Sequence, residues 1–129
     1  MAEINRNPSF WDPATGYSDE VVVSNTTGSA VTVKRGSLLL SDGAGKYTLA
    51  SGTLAFTRGT SNRLAIALEE ATVAKTSGAA TIKAVKSGVV SIEALYEVGG
   101  YTSTTAPDSV LDEFGGISNI VFVHVKEVN

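Results

Sequence analysis

The chain is predicted to be mainly β: a small compact β-barrel or β-sandwich-like domain with one short C-terminal helix and an extended N-terminal arm. Three observations predict this. Between residues 35 and 98, short apolar runs are cut by Gly, Ser, Asp and Asn at close, even intervals, as in short strands joined by turns. Several runs alternate apolar and polar residues with a period of two, which lines one face of a strand. Finally, 129 residues with 43% hydrophobic and 18% charged side chains suit one folded domain with one core. Strands this short must bury their apolar faces by sheet closing on sheet.

Residues 1–19 differ from the rest. They hold two of the three prolines, Pro8 and Pro13, and the aromatics Phe10, Trp11 and Tyr17. Proline fixes φ and removes a donor, so an extended or turned path is expected. The reading is an arm over 1–19 preceding a β-rich domain over 20–129. Phe10 and Trp11 either fold back to cap the barrel end or order against a partner.

Residues 20–24 carry Val21, Val22 and Val23 and read as the first strand. Residues 30–34 alternate Val31 and Val33 against Thr32 and Lys34, and a hairpin with the first strand is expected. Arg35-Gly36 reads as a kink, and 37–40 are apolar on both faces. Asp42-Gly43-Ala44-Gly45 is a strong turn signal leading into a strand over 46–50. Residues 51–63 are loop-rich, with Leu54 and Phe56 as anchors. Residues 64–70 have high helix propensity, but bulky Leu64, Ile66 and Leu68 alternate with small Ala65 and Ala67. That pattern suits a barrel strand with a crowded inner face. Residues 81–95 read as one bent strand or two, hinged at Ser87-Gly88. Residues 107–115 read as a short helix, capped by Asp108 or Ser109 and stopped by Gly115. Residues 117–128 form a final strand, Val121, Val123 and Val125 on one face and Phe122, His124 and Lys126 on the other.

Charge and composition exclude several functions. A net charge of −3 and a pI near 5.0 give no cationic surplus to neutralise phosphates or anionic lipid, so neither nucleic acid nor membrane is expected as a partner. There is no cysteine, hence no disulfide and no thiolate metal site. No signal-peptide pattern and no long apolar run are present. Asn25-Thr26-Thr27 matches a glycosylation sequon, read here as a strand-end turn.

Nothing in the chain clusters for catalysis. Gly43-Ala44-Gly45-Lys46-Tyr47-Thr48 only faintly resembles a phosphate loop, because Lys46 is followed by Tyr and the context is a hairpin. His124 is the sole histidine and has no second His or Cys to complete a metal site. Glu69-Glu70 and Asp112-Glu113 are adjacent pairs, and neighbours on a strand point to opposite faces, so they cannot share a cleft as glycosidase carboxylates do. No nucleophile elbow is present. The expectation is a non-enzyme without cofactor or metal.

Four segments carry a resemblance: Lys34-Arg35-Gly36-Ser37-Leu38-Leu39-Leu40 followed by the Gly-Lys-Tyr hairpin; Arg63-Leu64-Ala65-Ile66-Ala67-Leu68-Glu69-Glu70-Ala71; Lys86-Ser87-Gly88-Val89-Val90; and Leu111-Asp112-Glu113-Phe114-Gly115-Gly116-Ile117. In this order, over roughly residues 20 to 128, they resemble the lambda-like head decoration proteins of tailed bacteriophages. The resemblance implies a capsid decoration (cement) protein on the outer surface of the virion. Such a protein would clamp neighbouring major capsid protein subunits in the expanded shell, commonly as a homotrimer. The arm would then add to a capsid strand by main-chain pairing, with Ile4, Phe10, Trp11 and Tyr17 as candidate capsid-binding residues. The alternatives are another virion part, such as a head–tail connector or tail component, and a carbohydrate-binding β module stacking sugars on Trp11, Tyr47, Tyr96 and Tyr101.

Overall fold

In the computed structural model, residues 10–25, 27–42, 45–56, 63–76 and 78–124 are described. Among them the chain forms β1 (Trp11–Asp12), a 3-10 turn (Pro13–Thr15), β2 (Ser18–Asn25), β3 (Val31–Val33), β4 (Leu38–Ser41) and β5 (Lys46–Leu49). There follow β6 (Leu64–Ala67), β7 (Ala71–Val73), β8 (Gly78–Val85), β9 (Gly88–Ser91), α1 (Ile92–Gly99), α2 (Asp108–Ser118) and β10 (Ile120–Val123). The protein is mainly β, and β2-β5-β4-β6-β8 close into a barrel.

The alternation in residues 64–67 explains how the barrel packs. Ala65 and Ala67 face its interior with Val21, Val23, Leu39, Tyr47, Ile82 and Ala84. Leu64 and Ile66 face a second core with Phe10, Leu38, Val90, Leu95, Leu111 and Phe114. All four residues of β6 are buried, so β6 is the wall between the two cores. Small residues on the barrel side leave room for the larger side chains opposite, as in a barrel too narrow for a lumen. The expected β4–β5 hairpin forms, with Leu39 opposite Leu49 and Ser41 opposite Tyr47.

The second core is closed by a three-stranded sheet, β1-β9-β10, and by the two helices. Gly88, expected as a hinge, turns the chain from the barrel into this sheet at φ +125, a backbone that only glycine adopts without strain. It also lies under the Trp11 indole, whose Nε1 would be 2.6 Å from an added Cβ.

Four local expectations are corrected. The hairpin expected between residues 20–24 and 30–34 does not form: β2 pairs antiparallel with β8 and parallel with β5, and β3 pairs with β7. Partners distant in sequence supply the closed ladder that a local pair could not. The strand expected to run to residue 95 ends at Ser91, which caps α1 by accepting from the Ala94 N–H. Ile92, Leu95 and Gly99, at helical spacing, are the buried positions of α1. There are therefore two helices where one was expected. The later helix does not stop at Gly115 but runs to Ser118, and its cap is Asn119 at φ +61; Asp108 and Ser109 do not cap it, Pro107 standing at the N-cap. Gly115 serves packing, because a Cβ there would meet the Ile120 carbonyl at 2.5 Å as the chain doubles back into β10. The final strand covers only Ile120–Val123 among the described residues, with Phe122 buried and Val121 exposed as its alternation predicts.

Candidate functional site

The candidate arm is largely part of the domain. Phe10 is 1% exposed and belongs to the second core. Its carbonyl accepts from the Ser91 N–H at 2.8 Å, and the Arg35 guanidinium stands 5.0 Å above its ring. Trp11 pairs with Val90 in β1, and its Nε1–H donates to the Ser87 carbonyl at 2.9 Å. A Cβ on Gly16 would meet that same Ser87 carbonyl at 2.0 Å, so the turn is pressed against the sheet. Of the two readings of Phe10 and Trp11, folding back is the one realised. Of the arm expected over 1–19, residues 10–19 thus run through β1, the 3-10 turn and the start of β2, and residues 1–9 lie outside the described residues. Ile4 lies outside the described residues. Tyr17 is different: the residue is 57% exposed. Its backbone is nevertheless held three times, by its N–H to Ser87 Oγ at 3.1 Å and by the Lys86 and Ser87 N–H groups on its carbonyl.

The outward face of the three-stranded sheet is apolar and partly uncovered. Residues directly opposite in register share a face. Trp11, Val90 and Phe122 form the inward row, while Asp12, Val89 and Val121 form an outward one. Val123 and Ser91 continue the outward face. Val121 is 57% exposed, and Asp12, Pro13, Val89, Ser91 and Val123, together with Phe10 and Trp11, line an open groove of about 490 Å³ on the β1 side of the sheet. The described chain enters this sheet at Phe10 and leaves it after Val123, the two positions flanking Ser91. Both ends of the described chain therefore stand at the same end of the sheet, on its two edge strands, two strand spacings apart, or about 10 Å.

His124 follows immediately and ties that edge down. Its Nδ1 is 2.5 Å from Glu93 Oε2, in the first turn of α1, and its Nε2 is 2.5 Å from Asp108 Oδ2, the first residue of α2. Carboxylates on both ring nitrogens fit only an imidazolium, which donates from each. The Glu93 and Asp108 hydrogen bonds raise the His124 pKa above its ordinary 6.5. With both nitrogens taken, neither is left to accept a proton from a nucleophile, as a catalytic histidine must. Behind Asp108, the Tyr96 hydroxyl reaches Asp108 Oδ1 at 2.9 Å and the Ala106 carbonyl at 2.6 Å. Burial first, and then Asp108 and Glu93, push this phenol up to about 12.

The other candidates fall in scattered places. Tyr47 is buried in the barrel, and Tyr101 Oη accepts from the Leu38 N–H at 2.8 Å. With Trp11 inside the sheet and Tyr96 bonded to α2, these four aromatics build no common stacking platform. Glu69 accepts from the Lys83 N–H at 2.7 Å. Asn25 of the sequon is 2% exposed; its Nδ2 lies within 3.1 Å of the Ser29, Val73 and Ala74 carbonyls. That nitrogen is committed to the strand-end turn. Lys46 opens a strand where a phosphate loop opens a helix, and Gly43 and Ala44 lie outside the described residues. Among the described residues no group of three His, Asp or Glu could hold a metal ion, and no helix is long and apolar enough to cross a membrane.

Sequence reasoning missed the Glu93–His124–Asp108 bridge, because its members come from three elements. The one available signal was Ser91-Ile92-Glu93, a helix start whose acidic residue lies in the first turn. In comparisons with known proteins, the chain matches no family model, no curated protein and no solved structure.

Proposed function

We propose that this chain is a structural virion component: a capsid decoration protein that binds the outer surface of a phage shell and clamps neighbouring major capsid subunits in the expanded state. The observation that carries the reading is the exposed valine face with the entry point of residues 1–9 at its edge. Residues 1–9, expected from the sequence to belong to an arm, would then add to a partner's strand by main-chain pairing, while Val89, Val121 and Val123 offer apolar area beside β1. The four sequence segments that resemble the decoration family support the same reading. So does the acidic surface, suited to the outside of a shell and not to contact with DNA. Self-association as a homotrimer on the shell would multiply a modest contact by avidity.

The test is co-sedimentation with expanded, undecorated phage heads. The shortened variant should lack only residues 1–9, because removing Phe10 would open the core. Saturable binding by the full chain, lost on this truncation, supports a clamp with a binding arm. Equal binding by both moves the contact to the valine face, where Val121→Asp should then abolish it. Absence of binding by the folded full chain refutes the reading.

A further inference from the structure

A second feature lies at one mouth of the barrel. There β4 and β8 end, β6 begins, and Tyr17 leads into β2, as the pairings of Leu40 with Leu64 and Ser18 with Val85 require. A cleft of about 110 Å³ opens at this point, lined by Tyr17, Tyr47, Arg63, Lys86, Ser118 and Asn119. Barrel mouths are recurrent ligand sites.

Two properties fit it to an anion, and a third gives it a fixed wall. The first is charge. Arg63 and Lys86 both line the cleft, no carboxylate does, and neither cation has a carboxylate partner among the described residues. In a chain of net charge −3, two cations in a cleft with no acid in its lining form a local positive site. Lys86 is also located, its ammonium 5.9 Å from the centre of the Tyr47 ring. The second is an available donor. Ser118 is 4% exposed and accepts from the Leu64 N–H at 2.8 Å, which orients its oxygen. Its own hydroxyl proton has no acceptor among the described residues, and buried donors ordinarily have one. The third is a prepared wall: Tyr17 is exposed while its backbone is held by three hydrogen bonds. A rigid exposed aromatic loses little freedom when a ligand arrives.

We propose that this cleft is an oxyanion-binding site for a compact carboxylate or phosphate group, held by the Arg63 guanidinium and Lys86 ammonium and by a hydrogen bond from the Ser118 hydroxyl. The guanidinium fork matches two oxygens of such a group, and Lys86 supplies a point charge beside them. The volume sets the ligand class. A cleft of about 110 Å³ is room for an oxyanion headgroup but well short of the roughly 300 Å³ that a larger organic ligand needs. A nucleotide is excluded, and the group is either a free inorganic ion or the tip of a side chain presented by a partner. The site is independent of the decoration reading and stands or falls separately.

The experiment titrates the ¹⁵N-labelled full chain with inorganic phosphate, and separately with acetate, at constant ionic strength against chloride. Saturable shifts of the Leu64, Lys86 and Asn119 amides with either oxyanion, flat in chloride, are expected. Tighter phosphate binding assigns a phosphate-type ligand, and tighter acetate binding a carboxylate side chain. Arg63→Gln and Lys86→Gln, both changes at the barrel mouth, should each weaken binding at least tenfold while the remaining amide spectrum stays unchanged. Shifts that are linear and chloride-like for both anions, or a double variant that binds as tightly as the parent, overturn the proposal.

Discussion

Phe10→Ala separates a core residue from a docking residue, two roles that the bare sequence leaves equally open. An aromatic side chain of this size buries about 150–250 Å², and Phe10 is 1% exposed. Truncation to Ala removes on the order of 100 Å² of apolar area from the core, or about 2.5 kcal/mol at about 25 cal/mol per Å². The vacated ring volume adds a cavity term, because Leu38, Val90 and Leu95 on neighbouring elements relax only in part; Phe→Ala changes in cores accordingly cost about 3–5 kcal/mol. Loss of the Arg35 guanidinium over the ring contributes about 0.5–1 kcal/mol more. A domain of this kind holds about 5–15 kcal/mol in total, so the loss is a large share. Urea unfolding followed by Trp11 emission reads it directly, since the indole packs against the same core. A lower midpoint at unchanged slope is expected. Tyr17→Ala, at an exposed residue, should stay within about 0.5 kcal/mol of the parent. A Phe10→Ala loss under about 1 kcal/mol would refute the placement of Phe10 and restore an arm reaching past it.

Three other outcomes are expected. Gly88→Ala must place a Cβ 2.6 Å from Trp11 Nε1 at φ +125. The backbone strain alone is worth about 1–3 kcal/mol, and the displaced indole should red-shift its emission; an unchanged spectrum and midpoint would contradict the packing. Asn25→Asp exchanges an amide nitrogen for an oxygen facing the Ser29, Val73 and Ala74 carbonyls. Losing these donations while burying a charge should cost at least about 3 kcal/mol, measured by thermal unfolding. His124 binds its proton more tightly folded than unfolded, because its pKa is raised by Glu93 and Asp108. The stabilisation it brings is therefore complete below 6.5 and is lost as pH rises through the raised value. A proton NMR titration of the His124 ring should show a midpoint above 6.5 in the parent, lower in both Glu93→Gln and Asp108→Asn. The latter should also bring Tyr96 down from about 12.

Much of the barrel is legible in the sequence because its signals are local. Asp42 to Gly45 mark a turn between two apolar runs, and the β4–β5 hairpin follows. The bulky–small alternation of Leu64 to Ala67 announces a strand with unequal faces, and both cores prove to need that inequality. The Ser87-Gly88 break is readable because only glycine relieves the crowding there. Such features depend on neighbours a few residues apart, and the chain carries them wherever it folds.

What the tertiary structure decided depends on contacts that no window of sequence contains. The hairpin expected for β2 and β3 gives way to pairings with β8, β5 and β7, because closing the barrel satisfies more of the ladder than a local turn can. Residues 92–99 could continue a strand, but Ser91 caps a helix there and the second core takes Ile92 and Leu95. Phe10 and Trp11 are arm-like by composition and become core because β9 offers them an open edge and Gly88 leaves room for the indole. The two charged sites follow the same logic. Glu93, Asp108 and His124, and likewise Arg63, Lys86 and Ser118, stand on or beside different elements, so they meet only once the apolar cores have set those elements in place. Sequence alone determines which residues prefer strands, turns and burial. Competition among distant partners for the same buried surface determines which pairs meet, and therefore where this protein's interaction sites lie.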